Sequence, residues 1–131
     1  ISWLGSSFFA GNETDIVDGF SSVIAGQEWL FGVGLFALSM LLFSQAATIV
    51  TLMPVALALN MSTPLLLALY PAVNGIFFLP TYGTMLAAVS FDSTGTTRIG
   101  KFVINHSFML PGLVTTISAV LLAFLFSSIL L

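Results

Sequence analysis

The 131 residues are 58% hydrophobic and only 5% charged, with a mean hydropathy of +1.14. Soluble domains are about one-quarter charged, so the polar surface needed to cover a water-soluble globule is missing and the composition points to an integral membrane protein. The net charge of −3 rests on few groups and gives no footprint for nucleic acid, and zero cysteines exclude disulfides and thiolate metal sites.

The chain opens on Ile1 without an n-region or cleavage site, and "ISWLGSSFFA" reads as the end of a preceding span. A piece of a longer protein, its C-terminal part, is expected. Residues 10–28 carry Glu13, Asp15, Asp18 and Glu28, four of the five acidic groups. Ile16, Phe20, Val23 and Ile24 recur there at helical spacing, which predicts a short amphipathic helix at the interface, capped by Asn12 or Thr14.

Two apolar runs follow, Trp29 to Phe43 and Ile49 to Leu59, separated by the polar island Ser44-Gln45-Ala46-Ala47-Thr48. At ~1.5 Å per residue they reach about 22 Å and about 16 Å, and the hydrocarbon core is ~30 Å thick. Neither crosses alone. Either 29–60 is one long span through the island, or it is a re-entrant hairpin with its tip at 44–48; the paired short helices favour the hairpin. Asn60 to Pro64 then turns the chain. A span over 64–90 is broken past its midpoint at Pro80-Thr81-Tyr82-Gly83-Thr84. Residues 91–105 form a polar loop that holds both basic groups, Arg98 and Lys101, and 106–131 make the last crossing.

The positive-inside rule places Arg98 and Lys101 in the cytoplasm and residue 60 on the far side. With a hairpin at 29–60, residues 1–28 end on that periplasmic side. Irregular backbone survives at membrane depth only where it lines a cavity or is buried in protein, and half-helices meeting near the midplane are a binding device of secondary transporters. The helices starting near Thr48 and Thr84 would aim two N-termini inward, each worth about half a positive charge. Ser44, Gln45, Thr48, Thr81 and Thr84 add donors and acceptors, Gly83 a flexible backbone, and Tyr82 a wall or an anchor. Isolated small polar residues do pack membrane helices, but a five-residue polar tip between two half-length helices, matched by a second break, reads as a lined site. His106 reads as an interfacial side chain and Asp92 as an Asx-type turn or cap. No metal-ligand spacing, nucleophile–base pair or phosphate loop is present, so neither a cofactor nor an enzyme activity is expected. A non-transporting membrane anchor is the competing reading; it predicts uninterrupted spans.

At "SQAAT…LMPVALALN" and "FFLPTYGTMLAAVSFDSTGTTRIGKFVINHSFMLPG" the chain resembles the C-terminal half of the Dcu family of bacterial anaerobic C4-dicarboxylate transporters, and more distantly the second repeat of the wider ion-transporter superfamily. The resemblance covers essentially the whole chain. It implies an all-α, multi-pass carrier of the bacterial inner membrane that handles fumarate, malate, aspartate or succinate by exchange or uptake. It further implies two inverted repeats, each with a re-entrant hairpin and a broken helix, an N-terminal half of the same carrier as partner, lipid around it, and often a homodimer. Proton or sodium would be the coupling ion. Ser-Gln-Ala-Ala-Thr stands where sodium-coupled relatives have Ser-Asn-Thr, and Gly83 stands where the Dcu break has a second proline.

Overall fold

The computed structural model describes residues 7, 10–12, 14–15, 18–19, 22–24, 26–102 and 104–130. Glu13, Ile16 and Phe20, on which much of the expected interfacial helix rests, lie outside them. The described residues between 7 and 24 are helical from Ser7 onward, so Asn12 and Thr14 sit within helix rather than at a cap, and Ile24 is buried while Val23 is exposed.

The regular elements in the rest of the described chain are all helices, with a single isolated β-bridge and no strand among these residues. Helix α1 spans Leu30–Leu42 and α2 spans Gln45–Ala58. Phe43, at φ 49°, ends α1 in the left-handed region, and Ser44 turns extended and caps α2. The interruption is therefore narrower than the expected tip, and α2 begins at Gln45 rather than near Thr48. The Ser44 Oγ accepts from the Ala47 N–H at 3.1 Å, which satisfies one of the orphan donors of the first turn and starts the helix there. α2 runs on through Pro54, then ends in a Schellman motif. Asn60 takes φ 53°, and the N–H of buried Met61 reaches back to the Ala56 carbonyl at 3.1 Å.

Helix α3 spans Thr63–Leu69 and passes directly into a 3₁₀ segment, Tyr70–Phe77. The long span thus leaves α geometry well before Pro80. Pro71 has no N–H to return to the Leu67 carbonyl, and Asn74 takes non-helical angles of φ −86° and ψ 25°. α4 spans Gly83–Phe91 and contacts the other helices little; Met85 is its one buried residue. α5 spans Met109–Leu130 and is the one helix among the described residues long and apolar enough to cross a membrane.

The core is built on α1, α2 and the α3–3₁₀ unit, from Phe31, Leu35, Leu52, Val55, Ala56, Leu69, Ala72 and Val73. Small residues let the elements approach. A methyl at Gly32 would strike the Leu69 side chain, and one at Gly112 would strike the Phe77 ring. Three contacts set the course of α5 antiparallel to the α3–3₁₀ unit: Ser127 with Pro64, Thr116 with Asn74, and Gly112 against Phe77. Glu28, Ser62, Pro64, Ser127 and Ser128 line one shallow cleft, so the start of α1, the end of the α2–α3 turn and the end of α5 share one end of the bundle.

Candidate functional site

The turn between α1 and α2 sits against the kink of the 3₁₀ segment. The Gln45 Nε2 donates to the Asn74 Oδ1 at 3.1 Å, and the Asn74 Nδ2 donates to the Thr116 Oγ1 at 3.4 Å. This amide chain ties the hairpin turn to the kink and to α5. Beside it, the Gly75 N–H donates to the fully buried Ser39 Oγ at 2.9 Å, and that hydroxyl donates in turn to the Phe36 carbonyl at 2.8 Å. The 3₁₀ segment frees backbone donors, and Ser39 takes one of them in a place water does not reach.

The level of this cluster along the bundle follows from α5. Thr116 lies about 10 Å from the Met109 end and about 21 Å from the Leu130 end, at ~1.5 Å per residue. Asn74 joins Gln45 to Thr116 through two hydrogen bonds, so the polar turn connects to α5 within the length of this membrane-long helix and not at either end.

The predicted residues divide into two groups. Ser44 and Thr48 are spent locally: Ser44 caps Ala47, and the buried Thr48 hydroxyl donates to the Ser44 carbonyl at 2.8 Å. Gln45 is exposed and keeps a second amide hydrogen, and the first-turn N–H groups of Gln45 and Ala46 carry no hydrogen bond among the described residues. Thr81, Gly83 and Thr84 are exposed, Tyr82 is half-buried, and neither threonine hydroxyl is bonded among the described residues. No hydrogen bond among the described residues joins 44–48 to 80–84; the partner of the turn is Asn74. Sequence reasoning missed Asn74, Ser39 and Thr116. The Asn74-Gly75 pair inside "YPAVNGIFFLP" was the available signal, since Asn-Gly punctuates regular structure.

Two further polar groups stand apart. His106, three residues before the Met109 start of α5, is buried within the protein, with Nε2 3.1 Å from the Phe78 carbonyl. Asp92 caps α4 and gathers the Thr94 hydroxyl, the Thr97 N–H, the Thr94 N–H at 2.8 Å and the Thr96 hydroxyl at 3.1 Å. Those donors, the Thr94 hydroxyl first among them, hold its carboxyl well below the usual carboxylate range. No group of three or more potential metal ligands occurs among the described residues.

Compared with known proteins, the chain matches the family described as "Anaerobic c4-dicarboxylate membrane transporter" (DcuA_DcuB) over residues 1–131. It is 50% identical to the C4-dicarboxylate transporter DcuA of Escherichia coli (strain K12) over 131 residues, which is 100% of this chain and 30% of that protein. It is 45% identical to the DcuA of Wolinella succinogenes over the same length. To the anaerobic C4-dicarboxylate transporter DcuB of Escherichia coli O157:H7 it is 40% identical over 114 residues, covering 87% of this chain and 26% of that protein. The chain thus spans about a third of the length of these curated relatives. No solved structure matches it.

Proposed function

The chain belongs to the DcuA/DcuB family of anaerobic C4-dicarboxylate membrane transporters, and from that premise we propose that it forms the C-terminal part of a secondary carrier that exchanges or takes up C4-dicarboxylates across the bacterial inner membrane. The observation that carries the reading is the position of Gln45. A polar, exposed turn between α1 and α2 is tied through Asn74 to Thr116, about 10 Å inside the end of the membrane-long helix, and the outer ends of α1 and α2 meet the other end of α5 in one cleft. That supports a re-entrant hairpin over a single long span. Helices of 13 and 14 residues are about 20 Å long, too short to cross a ~30 Å core alone.

The turn and the break together supply one wall of the site. Gln45, Thr81 and Thr84 offer uncommitted donors, Tyr82 and Gly83 shape the break, and Ser44 and Thr48 fix the turn. A dicarboxylate carries about two negative charges at neutral pH. Two helix N-termini supply roughly +1 between them, and neither 44–48 nor 80–84 contains a cationic residue. An unpaired buried charge is prohibitive, so a second, inverted repeat elsewhere in the carrier supplies the remaining N-termini or a cation. The proposed partners are that second repeat, surrounding lipid and a second copy of the carrier; the coupling ion is a proton or sodium. Interrupted helices speak against the membrane-anchor reading.

The test is exchange by the full-length carrier in proteoliposomes loaded with succinate. External labelled fumarate should accumulate saturably and only against internal dicarboxylate. No dicarboxylate-dependent uptake would overturn the proposal.

A further inference from the structure

The break leaves backbone carbonyls without their helical donors, that of Phe78 among them. In a continuous helix the Phe78 carbonyl would accept from the N–H of Tyr82. Here Pro80 has no N–H, the Thr81 N–H turns to the Leu79 carbonyl at 2.8 Å, and Tyr82 is extended ahead of α4. The His106 imidazole, 28 positions along the chain, takes the vacant donor's place. A carbonyl only accepts, so Nε2 carries a proton and donates it to Phe78. His106 is 7% exposed, and its Nδ1 is buried with no hydrogen-bond partner among the described residues.

The loop is built to present this ring. Ile99 and His106 form an antiparallel bridge. The Ser107 N–H donates to the Arg98 carbonyl at 3.1 Å, the Arg98 N–H donates to the Ser107 Oγ at 3.0 Å, and Gly100 donates to Asn105 across the same buckle. Gly100 has no space for a side chain, since a methyl there would lie 3.0 Å from the Asn105 amide nitrogen. The nearby charges are otherwise engaged: Asp92 is wrapped by Thr94, Thr96 and Thr97, and Arg98 and Lys101 are exposed. None of them pairs with the imidazole.

We infer that His106 is a positioning residue of the transport cycle, whose Nε2–H clamps the free Phe78 carbonyl and so fixes where Thr81 and Thr84 enter the site. This rests on the carrier reading for its role and on the hydrogen bond for its chemistry. Because the clamp acts on the break rather than on the substrate, it sets the rate of exchange more than the apparent affinity.

Three variants of the full-length carrier separate the possibilities. Gln carries its side-chain N–H at the same number of bonds from Cα as the imidazole Nε2, Asn carries it one bond short, and Leu has none. At equal membrane abundance, loss of this one hydrogen bond in His106→Leu and His106→Asn should lower the maximal exchange rate of labelled succinate about 5- to 30-fold with little change in half-saturating concentration, and His106→Gln should restore most of it. A Gln variant as slow as the Leu variant, or a Leu variant as fast as the unmodified carrier, overturns the clamp. If the unmodified carrier exchanges no dicarboxylate, the carrier reading fails instead, and the clamp is then judged by ¹⁵N-histidine spectra of the purified protein. The resonance lost in His106→Gln should show the proton on Nε2. A proton on Nδ1 alone overturns the inference.

Discussion

Replacing Gly75 by alanine would set a methyl group against the Phe36 carbonyl and 2.7 Å from the Ser39 hydroxyl. Both obstacles belong to α1, and neither is the far end of a long side chain that can swing aside. The helix and the 3₁₀ segment must separate, at an overpacking cost of about 1–3 kcal/mol. Separation also stretches the buried bond from the Gly75 N–H to Ser39, 2.9 Å long, and orphaning that donor adds about 1–3 kcal/mol. The combined loss of about 2–6 kcal/mol is a large share of a total stability that is ordinarily ~5–15 kcal/mol. Gly83→Ala is the matched control, because nothing lies within 4 Å of a methyl there. It should be neutral, or stabilising by up to ~1 kcal/mol through helix propensity. Ser39→Ala should cost about 1–3 kcal/mol by removing the acceptor alone. Thermal unfolding of the purified full-length carrier in detergent, followed by intrinsic fluorescence, reads all three. Equal melting of Gly75→Ala and Gly83→Ala would refute the close packing of α1 on the kink.

Single cysteines at residue 14 and at the exposed position 62 should react with an impermeant maleimide from the periplasmic face, and one at residue 95 only from the cytoplasmic face. Labelling of 14 and 62 from opposite faces would rule out the hairpin. The Asp92 carboxyl titrates below its unfolded value, so its contribution to loop order is fully present above about pH 4, and is lost only as the pH falls through the lowered folded value. Protease resistance of the 92–97 loop should therefore survive at pH 4 in the unmodified carrier, whereas Asp92→Ala should be cut readily at pH 7. Thr48→Val removes a buried intrahelical bond and should lower stability. Thr81→Val and Thr84→Val touch exposed, unbonded hydroxyls, so they should stay within about 0.5 kcal/mol in stability and weaken dicarboxylate binding instead. Matching stability losses at Thr81 and Thr84 would mean that those hydroxyls are structural.

The all-helical class and the two interruptions were legible because both are written locally. A Ser–Gln step between apolar runs marks a cap, and a proline in a long apolar run marks a break. What could not be read was which polar groups meet. Gln45 and Asn74 are 29 positions apart and Asn74 and Thr116 are 42 apart, and no periodicity encodes such pairs. A second departure from α geometry precedes the break at Pro80: Pro71 and the Asn74 kink already shift the backbone into 3₁₀ geometry. The same proline argument applied to Tyr70-Pro71 would have found it. The burial of His106 and its contacts with Ile99 and Phe78 could not be read either, because only the fold brings those residues together.

The central claim is that the polar turn at Gln45 forms a wall of the dicarboxylate site. Calorimetric titration of succinate into the purified full-length carrier tests it most directly, with Gln45→Leu beside the unmodified protein. Loss of the uncommitted amide donor should weaken binding by about 1–3 kcal/mol, roughly 5- to 150-fold. Unchanged succinate affinity in Gln45→Leu, at unchanged thermal stability, would contradict the claim.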